Sequence, residues 1–252
     1  MRLLTLARDL QRRKARERQS LFVAEGVRTV EELLQSSLTV RGAVVSVALG
    51  RTPRGAALRD ACVARGFELL EVTEQDFLTA ADTEHPQGIL AIAEAPSLTL
   101  AELTVPPTAR LLVLDGIQDP GNVGTLVRTA AAMGACAVIA LPGTADLWNA
   151  KAVRSAVGAQ FRVPALHAES AEFLAWIGAS NMELWGTAAD GEDVGVAPKC
   201  ARLAIAVGNE GAGLSDDVRA ACSRLIALPM AAGVESLNVA VAAGITLYAL
   251  RP

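Results

Sequence analysis

Residues 110–114 (Arg-Leu-Leu-Val-Leu) constrain the fold more than any other stretch of this chain. A near-continuous aliphatic run of strand length marks a parallel strand buried on both faces, because a strand with one wet face alternates apolar and polar residues. Residues 115–122 (Asp-Gly-Ile-Gln-Asp-Pro-Gly-Asn) are dense in turn formers, residues 123–133 are helical in spacing and stop at Gly134, and residues 137–141 are apolar again. Strand, helix and strand within about 30 residues make a βαβ unit. In an open sheet of such units, ligands bind outside the carboxyl ends of the strands. The run 115–128 sits at that end, which makes the amide of Asn122 and the guanidinium of Arg128 candidate site groups.

The alternation continues along the rest of the chain. Its 252 residues leave room for one large or two modest domains, and two halves emerge. In the first, residues 21–24, 43–49, 68–72 and 88–93 read as strands, with helices over 27–35, 56–64 and 74–81 between them. Residues 96–108 contain Pro106-Pro107, a pair that lacks both backbone donors and restricts the residue before it, so a linker fits better than an element. We expect a domain over 1–95, a linker over 96–108 and a second domain over 109–252. The second continues with helices over 150–157, 171–178 and 215–221, strands over 183–187, 203–207 and 224–228, and a last helix over 236–250. The fold class expected is α/β, with a small N-terminal α/β domain and a C-terminal domain built on a parallel sheet.

Composition removes several function classes. At 52% hydrophobic and 20% charged residues the chain is globular in type. Its longest clean apolar stretch, residues 239–250, falls short of the ~20 that a membrane-spanning helix needs, and Arg2, Arg8 and Asp9 break up the start. A cytoplasmic protein with no membrane association is expected. Four cysteines are scattered without a Cys-x-x-Cys spacing, as free buried thiols would be. With only His85 and His167 there is no material for a histidine-rich metal site or a conventional triad, and no metal is expected. The net charge of −4 is unlike that of a nucleic-acid binder, but residues 1–20 hold seven cations against Asp9 and Glu17. Such an arm is either a helix face carrying its own ion pairs or an RNA contact.

Two later runs add polar groups to glycine-rich turns. Residues 207–215 (Val-Gly-Asn-Glu-Gly-Ala-Gly-Leu-Ser) follow a buried strand and place Glu210 in a loop where bare backbone can approach a flat ligand. Residues 228–230 (Leu-Pro-Met) lead to residues 235–240 (Glu-Ser-Leu-Asn-Val-Ala) at the start of the last helix, where Ser236 is placed to cap it. A nucleotide-dependent oxidoreductase is one alternative these glycines raise. Their Gly-x-x-Gly-x-Gly spacing differs from the Gly-x-Gly-x-x-Gly of dinucleotide sites.

The three runs in this order resemble the SpoU (TrmH-like) RNA 2′-O-methyltransferases of the SPOUT class. The resemblance implies that Asn122 and Arg128 of the first run, Glu210 of the second, and Ser236 and Asn238 of the third are catalytic. It implies S-adenosylmethionine as cofactor, held at main-chain positions of Gly208, Leu228 and Leu237. It further implies a trefoil knot near the C-terminus, a homodimer formed through the last helix, and an RNA substrate-binding role for the first half. The substrate expected is 23S-type ribosomal RNA, with tRNA as the alternative. Because the five catalytic positions are all filled, a decayed RNA-binding module is disfavoured.

Methylating a ribose 2′-hydroxyl requires a methyl donor in line with an oxygen that loses its proton, and positioning alone supplies ~7–11 kcal/mol of such a barrier. A guanidinium seldom releases a proton, so Arg128 suits a clamp on phosphate and developing alkoxide charge, with Glu210 or water taking the proton.

Overall fold

The computed structural model describes residues 2–234 and 236–251. In chain order the elements are α1 (Arg2–Asp9), α2 (Arg13–Gln19), β1 (Leu21–Glu25), α3 (Val27–Leu34), β2 (Val40–Ser46), α4 (Pro53–Ala64), β3 (Glu68–Val72), α5 (Glu74–Leu78) and β4 (Ile89–Glu94). Then follow β5 (Ala109–Asp115), α6 (Pro120–Ala132), β6 (Ala137–Ala140), α7 (Ala150–Ala156), β7 (Ala165–His167), α8 (Ser170–Ala179), β8 (Glu183–Asp193), β9 (Arg202–Gly208), α9 (Asp216–Ala221), β10 (Arg224–Ala227) and α10 (Val239–Ala249). Two compact units form: Met1–Ser97 with Trp148–Arg162, and Leu98–Leu147 with Val163–Pro252.

The first unit is built on a four-stranded sheet in the order β1-β4-β2-β3. It is mixed: β4 runs antiparallel to both β1 and β2, while β2 and β3 are parallel. Ile89–Ala93 of β4 are fully buried, as a central strand requires. Leu3, Leu4, Ala7 and Leu10 share one face of α1 and pack with Phe77, Leu90 and Ile92. That packing decides the fate of the basic arm. Arg13 pairs with Glu17 at 2.7 Å, Arg12 with Asp9, and Arg16 is buried, donating to the Leu10 and Gln11 carbonyls at 2.8 Å. Arg8 also donates to Thr79 Oγ1 at 2.7 Å, so four of the arm's seven cations are engaged in the fold itself.

Helix α7 belongs to this unit although it follows β6 in sequence. Phe22 of β1 lies against Trp148 and Phe161, with ring centroids 4.6 and 5.7 Å apart. Aromatic contacts of that kind contribute about 0.5–1.5 kcal/mol beyond their buried area. Arg154 pairs with Asp82 at 2.6 Å, and Arg162 with Glu32.

The second unit holds a six-stranded sheet in the order β10-β8-β9-β5-β6-β7, parallel at every pairing. β5 is buried along its whole length, including Leu111 to Leu114 at 0% exposure. Successive side chains of a strand face opposite ways, so burial of both sets means covered faces on both sides. Leu111 and Val113 join Ile139, Phe173 and Ala206 in one cluster. α6 and α10 pack against each other, α6 against β5 and α10 against β9. From β5 the chain moves outward through β6 to β7, then returns to the other side for β8, β9 and β10. The order therefore reverses between β5 and β9, where Asp115 pairs with Gly208.

Helix boundaries follow local chemistry. α6 begins at Pro120, earlier than apolar spacing alone indicates, because proline is tolerated in a first turn and Asp119 caps it by accepting from the Gly121 N–H at 3.1 Å. Gly134, at φ +75°, ends it. α10 is capped by Asn238, whose Oδ1 accepts from the Ala240 N–H at 3.0 Å. Ser236 lies before the cap and does not fill the capping role the sequence suggested. Of the four cysteines, all free, only Cys62 is fully buried and the others are half-buried. Among the described residues, no helix is long and apolar enough to cross a membrane.

Candidate active site

The carboxyl ends of β5 and β9 carry the first two of the three motif loops. Gly208, the last residue of β9, is a positional necessity: a Cβ there would overlap the Gly213 carbonyl and the Leu214 nitrogen as the loop folds back. Backbone hydrogen bonds of 2.9 Å in both directions between Asn209 and Gly213 close that loop, with Gly213 at φ +74°. Asp115, 5% exposed at the end of β5, accepts from the Ser215 N–H at 2.7 Å and ties the loop's far end to the central strand.

The loop leaves Glu210 exposed, facing α6. There Asn122 donates from Nδ2 to Glu210 Oε1 at 2.6 Å. The Asn122 carbonyl accepts in turn from Asn238 Nδ2 at 3.0 Å, and the Asn238 carbonyl accepts from the first turn of α10. One directed chain of amides therefore runs from α10 through α6 to a carboxylate, joining residues 88 and 116 positions apart. Each amide has its two ends distinguished by its partners, so neither has a reason to flip.

Arg128 lies two turns further along α6, exposed, and makes no hydrogen bond or ion pair among the described residues. It stands outside the amide chain. Ser236 and Leu237 are exposed in the segment before α10, with Leu237 at 37%. Glu235 of the same run lies outside the described residues.

Beside the chain opens a cavity of about 770 Å³, within the range that encloses a small organic ligand. Gly208, Leu228 and Leu237 all line it, together with Glu210, Ser236 and Met230. Its wall combines aliphatic side chains with glycine backbone, which suits a ligand with a flat heterocycle and a short polar tail. S-adenosylmethionine fits that description. Asn209, Asp115 and Thr144 carry the loop geometry and lay beyond the motif reading, since an amide, a carboxylate and a hydroxyl inside turn sequences look like ordinary turn formers. The only signal available was the polarity of residues 209 and 210 within a glycine loop.

A parallel sheet with a glycine-walled cavity at the carboxyl ends of β8, β9 and β10, and at its edge a carboxylate held by one amide that a second amide orients, is the frame of a cofactor-dependent α/β enzyme. The comparisons make the class specific. The model of the SpoU rRNA Methylase family matches residues 109–248, and that of the MRM3-like substrate binding domain matches residues 5–91. The 23S rRNA (guanosine(2553)-2'-O)-methyltransferase RlmP of Bacillus subtilis is 35% identical over 97% of this chain and 94% of its own length. An AdoMet-bound rRNA methyltransferase from Sinorhizobium meliloti superposes with a TM-score of 0.86 at 29% identity, over 98% of this chain and 93% of that one. The SpoU methyltransferase AviRb from Streptomyces viridochromogenes, also in complex with AdoMet, gives 0.86 at 26% identity over 98% and 96%.

The chain belongs to the SpoU rRNA methylase family. It is an S-adenosylmethionine-dependent RNA 2′-O-methyltransferase.

Proposed function

We propose that this protein methylates a ribose 2′-hydroxyl in 23S-type ribosomal RNA. The observation that supports it most is the amide chain from Asn238 through Asn122 to Glu210, which gathers one residue from each motif at the edge of the cavity. Near-complete alignment with a 23S rRNA 2′-O-methyltransferase supports the choice of RNA.

S-adenosylmethionine, when bound, supplies an electrophilic methyl group to an oxygen nucleophile. Gly208, Leu228 and Leu237 would hold it, through backbone and apolar contact. Glu210, exposed and oriented by Asn122, takes the 2′-hydroxyl proton directly or through water. Arg128, uncommitted among the described residues, clamps an RNA phosphate and balances charge developing on the ribose oxygen. Asn122 and Asn238 fix the carboxylate and the ribose, and Ser236 lines the substrate side.

The first domain, 1–95, holds the RNA and is joined by the linker 96–108 to the methyltransferase domain 109–252, in keeping with the family models matched. Lys14 and Arg18, four residues apart on α2, are exposed and unpaired among the described residues, and form the part of the arm free to meet phosphate. The working form is a cytoplasmic homodimer. α10 is apolar on all sides, yet Val241, Ile245 and Tyr248 are 50%, 45% and 55% exposed along one face, a stripe that a second copy would cover. We also read the last segment as the trefoil knot of the family, because the chain turns back from edge strand β10 to bring Asn238 to Asn122 and α10 to α6 and β9.

The test is transfer of labelled methyl from S-adenosylmethionine to ribosomal RNA purified from cells lacking the protein. Label recovered in a single 2′-O-methylnucleoside of the large-subunit RNA is the expected result; label in a base, or in tRNA alone, would contradict the proposal.

A further inference from the structure

We propose that Asn209 is a positioning residue for methyl transfer, acting through Glu210 rather than by touching substrate. This rests on the reading of the site given above. Five hydrogen bonds converge on Asn209. Its backbone pairs twice with Gly213, its Oδ1 accepts from the Gly211 and Ala212 N–H groups at 2.9 and 3.0 Å, and its Nδ2 donates to the Gly116 carbonyl at 2.9 Å.

The acceptor half is a local turn, of the sort asparagine makes in many loops. The donor half is different, for it crosses 93 residues of sequence to the loop that leads into α6. Its target is itself fixed. The Gly116 N–H donates to Thr144 Oγ1 at 3.1 Å, and that hydroxyl, 4% exposed, donates to the Leu114 carbonyl at 2.9 Å. Gly116, at φ +71°, is thus gripped on both sides at the end of a strand buried along its whole length. Asn209 transfers that rigidity to the next residue, Glu210, whose carboxylate meets Asn122 on α6. Asp115 ties the far end of the loop after β9 through Ser215, but the bond from Asn209 to Gly116 is the tie adjoining Glu210, and a carboxylate displaced by about 1 Å can cost a hundredfold in rate.

Asn209→Asp keeps the acceptor and removes the donor to Gly116, while Asn209→Ser shortens the side chain and serves if the aspartate variant does not fold. Each is measured for kcat, for KM with RNA, for S-adenosylmethionine affinity by calorimetry and for melting temperature, alone and combined with Glu210→Gln. We expect kcat to fall about 10- to 100-fold, with cofactor affinity and KM for RNA changed less than about threefold. In the Glu210→Gln background the same substitution should have almost no further effect on kcat, the non-additivity of residues acting as a unit. Full kcat in Asn209→Asp, additive losses in the double variant, or a loss that vanishes at saturating cofactor would each overturn the proposal, the last by making Asn209 only a wall of the cavity. Wild-type protein that transfers no methyl to any ribosomal RNA would refute the functional reading itself, a result separable from all of these.

Discussion

Asn122 is the residue on which the site's geometry turns, since it alone contacts both other motifs. Asn122→Ala removes two hydrogen bonds and leaves Glu210 free to rotate. Turnover is expected to fall about 10- to 100-fold, while the melting temperature changes little because the Glu210 and Asn238 side chains are exposed and rehydrate; a large drop in melting temperature with normal residual turnover would mark a purely structural amide. Arg128→Lys retains charge but loses the planar fork, so kcat should drop while cofactor affinity measured by calorimetry stays within about twofold. Unchanged turnover in that variant would remove Arg128 from the chemistry. At this scale much was legible: the residue types at 122, 210 and 238 announce a polar site inside turn sequences. Their hydrogen-bonded order, with Asn122 between Asn238 and Glu210, was not, because periodicity carries no information on contacts 88 and 116 residues apart. Arg16 shows the opposite failure, a cation that looks available in sequence and is consumed by the Leu10 and Gln11 carbonyls.

Among the elements, the central strand β5 was the most readable, because two-sided burial forces an unbroken aliphatic run. The mixed sheet of the first unit was not, since Ile89-Leu-Ala-Ile-Ala is equally apolar whichever way its neighbours run. Nor did chain order reveal α7's partners, which depend on Trp148 and Phe161 meeting Phe22. The loop after β9 makes its own prediction. Gly208→Ala would force Gly213 and Leu214 away, costing about 1–3 kcal/mol of stability and weakening S-adenosylmethionine binding in calorimetry; native affinity would show that the loop tolerates the methyl group. α10 makes another. On the homodimer proposed above, Ile245→Asp places a charge in the bare stripe, so light scattering should show a dimer's mass for the native chain and half of it for the variant, whereas a dimeric variant would put the interface elsewhere.

The whole molecule carries a net charge of −4, so its RNA affinity must come from localised cations. Replacing Lys14 and Arg18 with serine should weaken RNA binding and reduce the slope of log affinity against log salt by about 1.4 to 1.8. An identical slope would place the phosphate contacts off the arm. Arg16→Ala, by contrast, should act on folding and lower the melting temperature. The cysteines are quiet at this scale: burial pushes the Cys222 thiol up to about 11, so alkylation at pH 8 should leave it largely unmodified in the folded protein.

The most direct measurement is a map of 2′-O-methylation across 23S-type ribosomal RNA from cells lacking this protein, complemented either with the native chain or with Glu210→Gln. One methylated ribose should disappear without the protein, return with the native chain, and return weakly or not at all with the variant. An unchanged methylation map in the absence of the protein, or full restoration by Glu210→Gln, would contradict the proposed function.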